Sequence, residues 1–333
     1  MNKKRIAIVL MNLGGPDSLT AVRPFLLNLF SDPDIFNIPF LQKQLAWLIA
    51  TLRSPKVKKS YAQIGGRSPI GVYTEIQKNL LQEHLNKISD GETEFTVLVA
   101  MRYWKPFTCE TIMQMKGQNF DEVILLPLYP HYSIVTTGSS LNEWKRESVR
   151  QEHIATKTVY VESYYTHPLY LKAINDRIES GLAKLPVEVR ENTYLLFSAH
   201  STPESIIKNG DPYQEQIIAS VKEIMNFRNN DFKYGISYQS KVGPVKWLEP
   251  STEETLKELS EEGYTSIFVI PISFVSDHIE TLFELNIEYR EVADESKIQY
   301  YTIMEGLNES PLFINLLAEL ISDKTKHLDL NGF

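Results

Sequence analysis

Asp277, Glu280, Glu284 and Glu288 recur at steps of three, four and four in FVSDHIETLFELNIE (274–288), with His278 among them. On a helix this spacing brings four carboxylates to one face. Like charges so placed destabilise an isolated helix by about 0.2–0.5 kcal/mol per pair, so solvent, a cation or a proton must offset the repulsion. The chemistry indicated is cation binding or proton transfer. The same residues also read as a capping box on a solvated helix, because Ser276 or Asp277 makes a good N-cap and Glu280 follows Asp277 by three. The preceding run shifts the balance toward chemistry. SIFVIPI (266–272) reads as a buried parallel strand, and ligands of open α/β sheets gather beyond the carboxyl ends of their strands. His200 stands at a similar place, directly after TYLLFSA (193–199), where a rigid edge would hold its ring. Alone, such a histidine is more often a satisfied core residue than a ligand; Glu280, after the third strand of the same half, gives it a partner.

These residues need strands and helices to hold them. Eight short apolar runs alternate with helical patterns: 5–10, 95–101, 122–128, 157–163, 193–199, 233–239, 266–272 and 298–303. That alternation predicts parallel βα units. Four runs precede residue 165 and four follow it, and the halves resemble each other in order. The first strand of each leads into a Pro-containing loop, and the third ends in an apolar-Pro-apolar signal, LLPLYPHYS against VIPISFVSD. The expected fold is α/β: two similar Rossmann-like lobes, each a four-stranded parallel sheet flanked by helices, with the active cleft between them. The expected division is 1–164, 165–308, and a C-terminal helical segment 309–333 that is a candidate to pack back on the first lobe.

Composition narrows the function classes. The chain has 333 residues, 43% hydrophobic and 23% charged, and a net charge of −8 that offers no general basic field for nucleic acid. Cys109 is the only cysteine, so an intramolecular disulfide and a four-cysteine metal or iron–sulfur site are excluded. Any metal must be held by His, carboxylate or water. MNKKRIAIVLMNLGGPD has lysines before an apolar run, but the run is short and meets Gly14, Gly15 and Pro16, so it reads as a first strand and its loop rather than a secretory signal. No run approaches 18 uninterrupted apolar residues. A cytoplasmic protein is expected. Residues 35–61 break the α/β rhythm with many large apolar side chains, then Arg53, Lys56, Lys58 and Lys59. Packed inside, they form a helix and its turn; exposed, they form an apolar lip able to touch the inner face of a bilayer.

Seven blocks carry a resemblance over nearly the whole chain: NLGGPDSLTAVRPFLLNLFSD (12–32), IGGRSPI (64–70), MRYWKP (101–106), LYPHYSIVTTGSS (128–140), FSAHSTPESIIKNGDPY (197–213), YQSKVGPVKWLEP (238–250) and FVSDHIETLFELNIE (274–288). In kind and order they resemble the ferrochelatases, which insert ferrous iron into protoporphyrin in the last step of haem synthesis. The resemblance makes His200 and Glu280 the central pair, as catalytic residues and exchangeable metal donors. Inserting a dication into a free-base porphyrin expels two pyrrole protons, and a neutral imidazole and a carboxylate suit both acceptance and weak ligation. The reading adopted has His200 accept the protons while Glu280, Glu284 and Glu288 form a proton or metal path.

The resemblance also implies apolar walls for the macrocycle at Leu13, Tyr103, Trp247 and Phe274, propionate recognition by Arg102, Tyr129 and Ser133, and hydrogen-bond support of Glu280 by His278. Some ferrochelatases carry a [2Fe–2S] cluster on C-terminal cysteines. Here the tail DKTKHLDLNGF has none, and Ile134 stands where some relatives have cysteine, so no cluster and no permanent cofactor is expected; ferrous iron is substrate. Gram-positive relatives that metallate coproporphyrin differ in the QSKVGPVKWLEP block, where this chain resembles the protoporphyrin type, so protoporphyrin is the expected substrate. The alternatives are a coproporphyrin ferrochelatase and a two-lobed tetrapyrrole- or metal-binding protein without turnover.

Overall fold

All eight apolar runs form strands, and they pair into two parallel sheets. The computed structural model describes residues 3–35, 41–89, 91–152, 157–241, 243 and 245–330, with the side chains of 326–330 left aside. Part of the 35–61 segment (36–40) and two positions of the 238–250 block (242 and 244) therefore lie outside the described residues. The chain divides into two units: unit 1 is Met1–Ser163 with Glu309–Phe333, and unit 2 is Tyr164–Asn308.

In unit 1, strands β1 (Lys4–Asn12), β2 (Thr93–Met101), β3 (Glu122–Pro127) and β4 (Lys157–Tyr160) assemble in the order β2-β1-β3-β4. Ile6 to Met11 of β1 are at most 1% exposed, as expected for a strand with both neighbours and both faces covered. The helices are α1 (Val22–Phe30), α2 (Gln42–Gln63), α3 (Ile70–Ile88), α4 (Thr108–Met115) and α5 (Ser139–Arg150). A π-helical turn, Ile134–Gly138, runs into α5. Helix α2 is two-sided: Ala46, Ala50, Ser54 and Tyr61 are buried, whereas Leu41 before it and Trp47, Leu48 and Leu52 on it are exposed. Arg53, expected near lipid phosphates in the exposed reading, instead lays its guanidinium 5.6 Å from the Phe30 ring centroid.

Unit 2 repeats the plan. Strands β5 (Tyr194–His200), β6 (Tyr234–Gln239), β7 (Ser266–Pro271) and β8 (Tyr300–Ile303) take the order β6-β5-β7-β8. Its helices are α6 (Pro168–Leu182), α7 (Val187–Arg190), α8 (Glu204–Lys208), α9 (Tyr213–Phe227), α10 (Thr252–Glu261) and α11 (Tyr289–Glu295). A longer π-helix, Glu280–Glu288, runs into α11. The chain then returns to unit 1 as α12 (Pro311–Leu330), which packs on α3. Phe313, Leu316, Leu317 and Ile321 of α12 are fully buried, and the matching stripe on α3 is Ile70, Thr74, Gln77, Leu81 and Leu85. Spacings of three, four and seven put such residues on one helical face.

The acidic segment departs from its expected form. Residues 280–288 make a π-helix rather than an α-helix, and Ile279, not Ser276 or Asp277, holds the N-cap position. A π-helix closes i→i+5 bonds, so the wider turn loosens the single-face alignment of the acids. The predicted capping box is absent because the Asp277 carboxylate is engaged elsewhere, with Thr281 Oγ1 at 2.9 Å and Asn308 Nδ2 at 2.7 Å.

Candidate active site in unit 2

His200 is the last residue of β5 and pairs in register with Gln239, the last residue of β6. Its backbone is held on two sides: its N–H donates to Ser273 Oγ at 3.0 Å, and its carbonyl accepts from Tyr213 Oη at 3.0 Å. Glu280 approaches from beyond β7. His200 Nδ1 lies 2.8 Å from Glu280 Oε2, so the two residues proposed from sequence as a pair do meet. The same oxygen accepts from Ser240 Oγ at 3.1 Å and lies 3.4 Å from Gln239 Nε2. Gln239 is oriented in turn by Ser198 Oγ, which donates to its carbonyl oxygen at 2.8 Å. A ring at a strand end and a carboxylate with three donors form a preorganised constellation rather than a mobile surface pair.

The electrostatics follow from this geometry. Burial opposes the charged form of His200, but the adjacent Glu280 carboxylate, by charge and hydrogen bond, with Glu284 beyond it, raises the imidazole above its ordinary value. The ring still keeps 42% of its side-chain surface open, so it forms a wall of the site rather than part of the core. Burial alone would push Glu280 up; His200, by charge and hydrogen bond, and the Ser240 bond hold it well below the usual carboxylate range.

Glu284 goes the other way. Burial and then the Glu280 charge push it up to about 7, despite bonds from Ser240 and Tyr289. Ser240 has one hydroxyl hydrogen for two carboxylates, and a protonated Glu284 supplies the second. Ser240 also sits at φ +69°, a left-handed conformation that is costly for a residue with a Cβ.

His278 does not support Glu280 as expected. Its Nε2 is 3.9 Å from Glu280 Oε1, beyond hydrogen-bond reach, because its Nδ1 is bound to the Ser276 carbonyl at 3.1 Å. A carbonyl only accepts, so Nδ1 carries the hydrogen, and burial keeps the ring's pKa low. The neutral ring then turns a bare Nε2 toward Glu280. Phe274 is edge-on to His200, with centroids 6.4 Å apart, and tilted on His278 at 4.3 Å. Trp247 bridges to Pro203 in the loop after His200, half-buried with its indole N–H inside. Glu288, half-buried, ends the π-helix.

The other expected residues belong to unit 1, also at the carboxyl ends of strands: Leu13 after β1, Arg102 and Tyr103 after β2, Tyr129 and Ser133 after β3. Arg102 is not free to clamp a propionate. Its guanidinium bonds Asp32 Oδ1 at 2.9 Å and Ser139 Oγ at 2.7 Å, with Glu143 at 3.7 Å. Asp32, fully buried by its side chain, requires that cation. A hollow of about 310 Å³ beside them holds a second guanidinium, Arg146, itself paired with Asp34 and Glu143. Tyr103 cannot offer a ring face either, being 1% exposed with its hydroxyl on Asp32 at 2.5 Å. Ser133 is buried and its hydroxyl accepts from the Val135 N–H, while Leu13 and Tyr129 remain half-buried.

Ser240, Gln239, Tyr213 and Tyr289 were missed from sequence. Ser240 and Gln239 carried a usable signal, since they end or follow the predicted strand 233–239. Nothing local marks Tyr213 and Tyr289 as partners of His200 and Glu284.

Known proteins resemble this chain over nearly its whole length. The ferrochelatase family model matches residues 5–325. The ferrochelatase of Geotalea daltonii is 46% identical over 320 residues, covering 96% of this chain and 97% of that one. The ferrochelatase of Aquifex aeolicus is 47% identical over 320 residues, covering 95% and 98%. Among solved structures, SirB from Bacillus subtilis with Fe³⁺ superposes with a TM-score of 0.56 at 12% identity, covering 98% of each chain, a likeness of fold alone. Matched over nearly its whole length, the chain belongs to the ferrochelatase family.

Proposed function

We propose that this ferrochelatase inserts ferrous iron into protoporphyrin IX with release of two protons, and that His200 and Glu280 carry the step. The 2.8 Å contact between His200 Nδ1 and Glu280 Oε2 carries the assignment. With Glu280 ionised, Nδ1 donates to it and Nε2 is the free acceptor; when Nε2 takes a pyrrole proton, the carboxylate stabilises the imidazolium. Glu280, with the bare Nε2 of His278 nearby, supplies exchangeable donors for ferrous iron on its way to the ring. Ser240 links Glu280 to Glu284, and Glu288 continues the acidic path. Phe274, edge-on to His200, and Trp247 are the proposed aromatic walls for the macrocycle. Iron is substrate here, and no resident cluster or other cofactor is proposed.

For association we propose peripheral contact with the inner face of the membrane through α2. No described helix is long and apolar enough to cross a bilayer, yet Leu52 is 71% exposed beside Trp47 and Leu48, with Lys56 and Lys59 exposed farther along the helix. Sedimentation with phosphatidylglycerol vesicles should carry the protein down, and Leu52→Glu should release it.

The deciding assay mixes the protein anaerobically with ferrous iron, or zinc as a surrogate, and free-base porphyrin. The four visible bands of the free base should collapse to two over many turnovers. Faster turnover on coproporphyrin would replace protoporphyrin as substrate, and a single stoichiometric change would indicate a carrier.

A further inference from the structure

Asp277 lies three residues before Glu280, but its bonds run to the far end of unit 2. Its Oδ1 accepts from Thr281 Oγ1 at 2.9 Å, and its Oδ2 from Asn308 Nδ2 at 2.7 Å and from the Gly306 N–H at 3.3 Å. Bonds also run between the backbones and Asn308. The Asp277 N–H donates to Asn308 Oδ1 at 2.9 Å, and the Asn308 N–H donates to the Val275 carbonyl at 2.9 Å. Asn308 and Asp277 thus form a closed reciprocal pair, with exposures of 6% and 8%.

Two backbone features make the pair attainable. Asn308 has φ +44°, a conformation asparagine tolerates better than most residues. A Cβ at Gly306 would lie 2.9 Å from both the Asp277 nitrogen and Asn308 Oδ1, so only glycine lets the loop come this close. Thr281 carries the connection onward, since its Oγ1 accepts from the His278 N–H at 3.0 Å. Asp277, His278 and Thr281 are therefore tied to the 306–308 loop, and Glu280 lies among them.

We propose that Asn308 is a positioning residue for metal insertion: the 306–308 loop sets the backbone from which Glu280 and His278 reach the reacting atoms. This rests on the assignment of Glu280 made above. A displacement of about 1 Å in a reacting group costs on the order of a hundredfold in rate, so a remote clamp of this kind acts on turnover rather than on porphyrin affinity.

The test measures zinc insertion by Asn308→Ala and Asn308→Ser, with kcat normalised to porphyrin-binding sites. The expected result is a kcat about 10–100-fold lower with porphyrin KM within about twofold of the parent. Asn308→Asp keeps an acceptor for the Asp277 N–H but sets a second carboxylate against Asp277 Oδ2 in place of the Nδ2 donor, so its kcat should fall at least as far as that of Asn308→Ala. Parental kcat in both Asn308→Ala and Asn308→Ser, failure of both to fold, a raised porphyrin KM at unchanged kcat, or parental kcat in Asn308→Asp would each overturn the proposal. Glu280→Gln in the same assay separates the two claims. If it inserts zinc at full rate, the Glu280 assignment fails; if it is inactive while Asn308→Ala is not impaired, only the positioning role fails.

Discussion

Each unit buries a carboxylate against the carboxyl end of its sheet, and the two are treated in opposite ways. In unit 1, Asp32 meets Arg102, Ser139 and Tyr103. Burial would push Asp32 up, but the Ser139 and Tyr103 bonds and the Arg102 charge hold it below its ordinary value. Arginine does not give up its proton, so this arrangement is fixed. In unit 2, Glu280 faces His200, an imidazole whose pKa it raises and which, unlike a guanidinium, can release its proton. The same fold thus holds Asp32 as a structural acid in unit 1 and, on the assignment proposed above, Glu280 as a working one in unit 2, and the partner's chemistry makes the difference.

Replacing each partner should expose the contrast. His200→Ala should lower insertion by about 10²–10⁴-fold, the usual range for a lost general base, while fluorescence titration shows porphyrin still binding. Asp32→Ala should lower stability by about 3 kcal/mol, read as a shift of the urea midpoint, because it takes the close carboxylate from the buried Arg102 and leaves it only the looser Glu143 at 3.7 Å. Its surviving folded fraction should still insert metal. Because the pKa of Asp32 is depressed, its contribution is full at neutral pH and is lost only as pH falls through a folded value below the usual carboxylate range. Equal effects of the two substitutions on rate and on stability would dissolve the comparison.

Smaller effects sharpen it. The acid limb of kcat/KM should lie above the ordinary imidazole value, since proton acceptance needs neutral His200 and Glu280 raises its pKa. In Glu280→Gln the residual activity should show that limb at lower pH, as burial is then opposed only by Glu284. A limb that does not move would remove His200 as the titrating base. Ser240→Gly should be more stable than Ser240→Ala by about 1 kcal/mol in thermal unfolding, because both lose the hydroxyl but only glycine relieves φ +69°.

The legible part of this molecule is what burial writes into consecutive residues. Parallel strands covered on both faces read as unbroken apolar runs, so β1, β5 and β7 were visible with both Pro-ended third strands. The His200–Glu280 pair followed from strand ends and family blocks. The misread residues have partners far along the chain. Arg102 looked available because Asp32 is seventy positions away, and Asp277 looked like a cap because Asn308 is thirty-one positions on. The π-helix was missed because i→i+5 bonding leaves no distinct apolar period in nine residues. The left-handed Ser240 was invisible since serine does not advertise that conformation.

The return of α12 to α3 has a consequence for synthesis. A ribosome releases α3 long before Pro311–Leu330 emerges, so the face bearing Leu81 and Leu85 waits without its native cover while all of unit 2 is made. Unit 2 is continuous in sequence and can complete itself first. A stop codon before residue 311 would therefore injure chiefly the unit translated earliest.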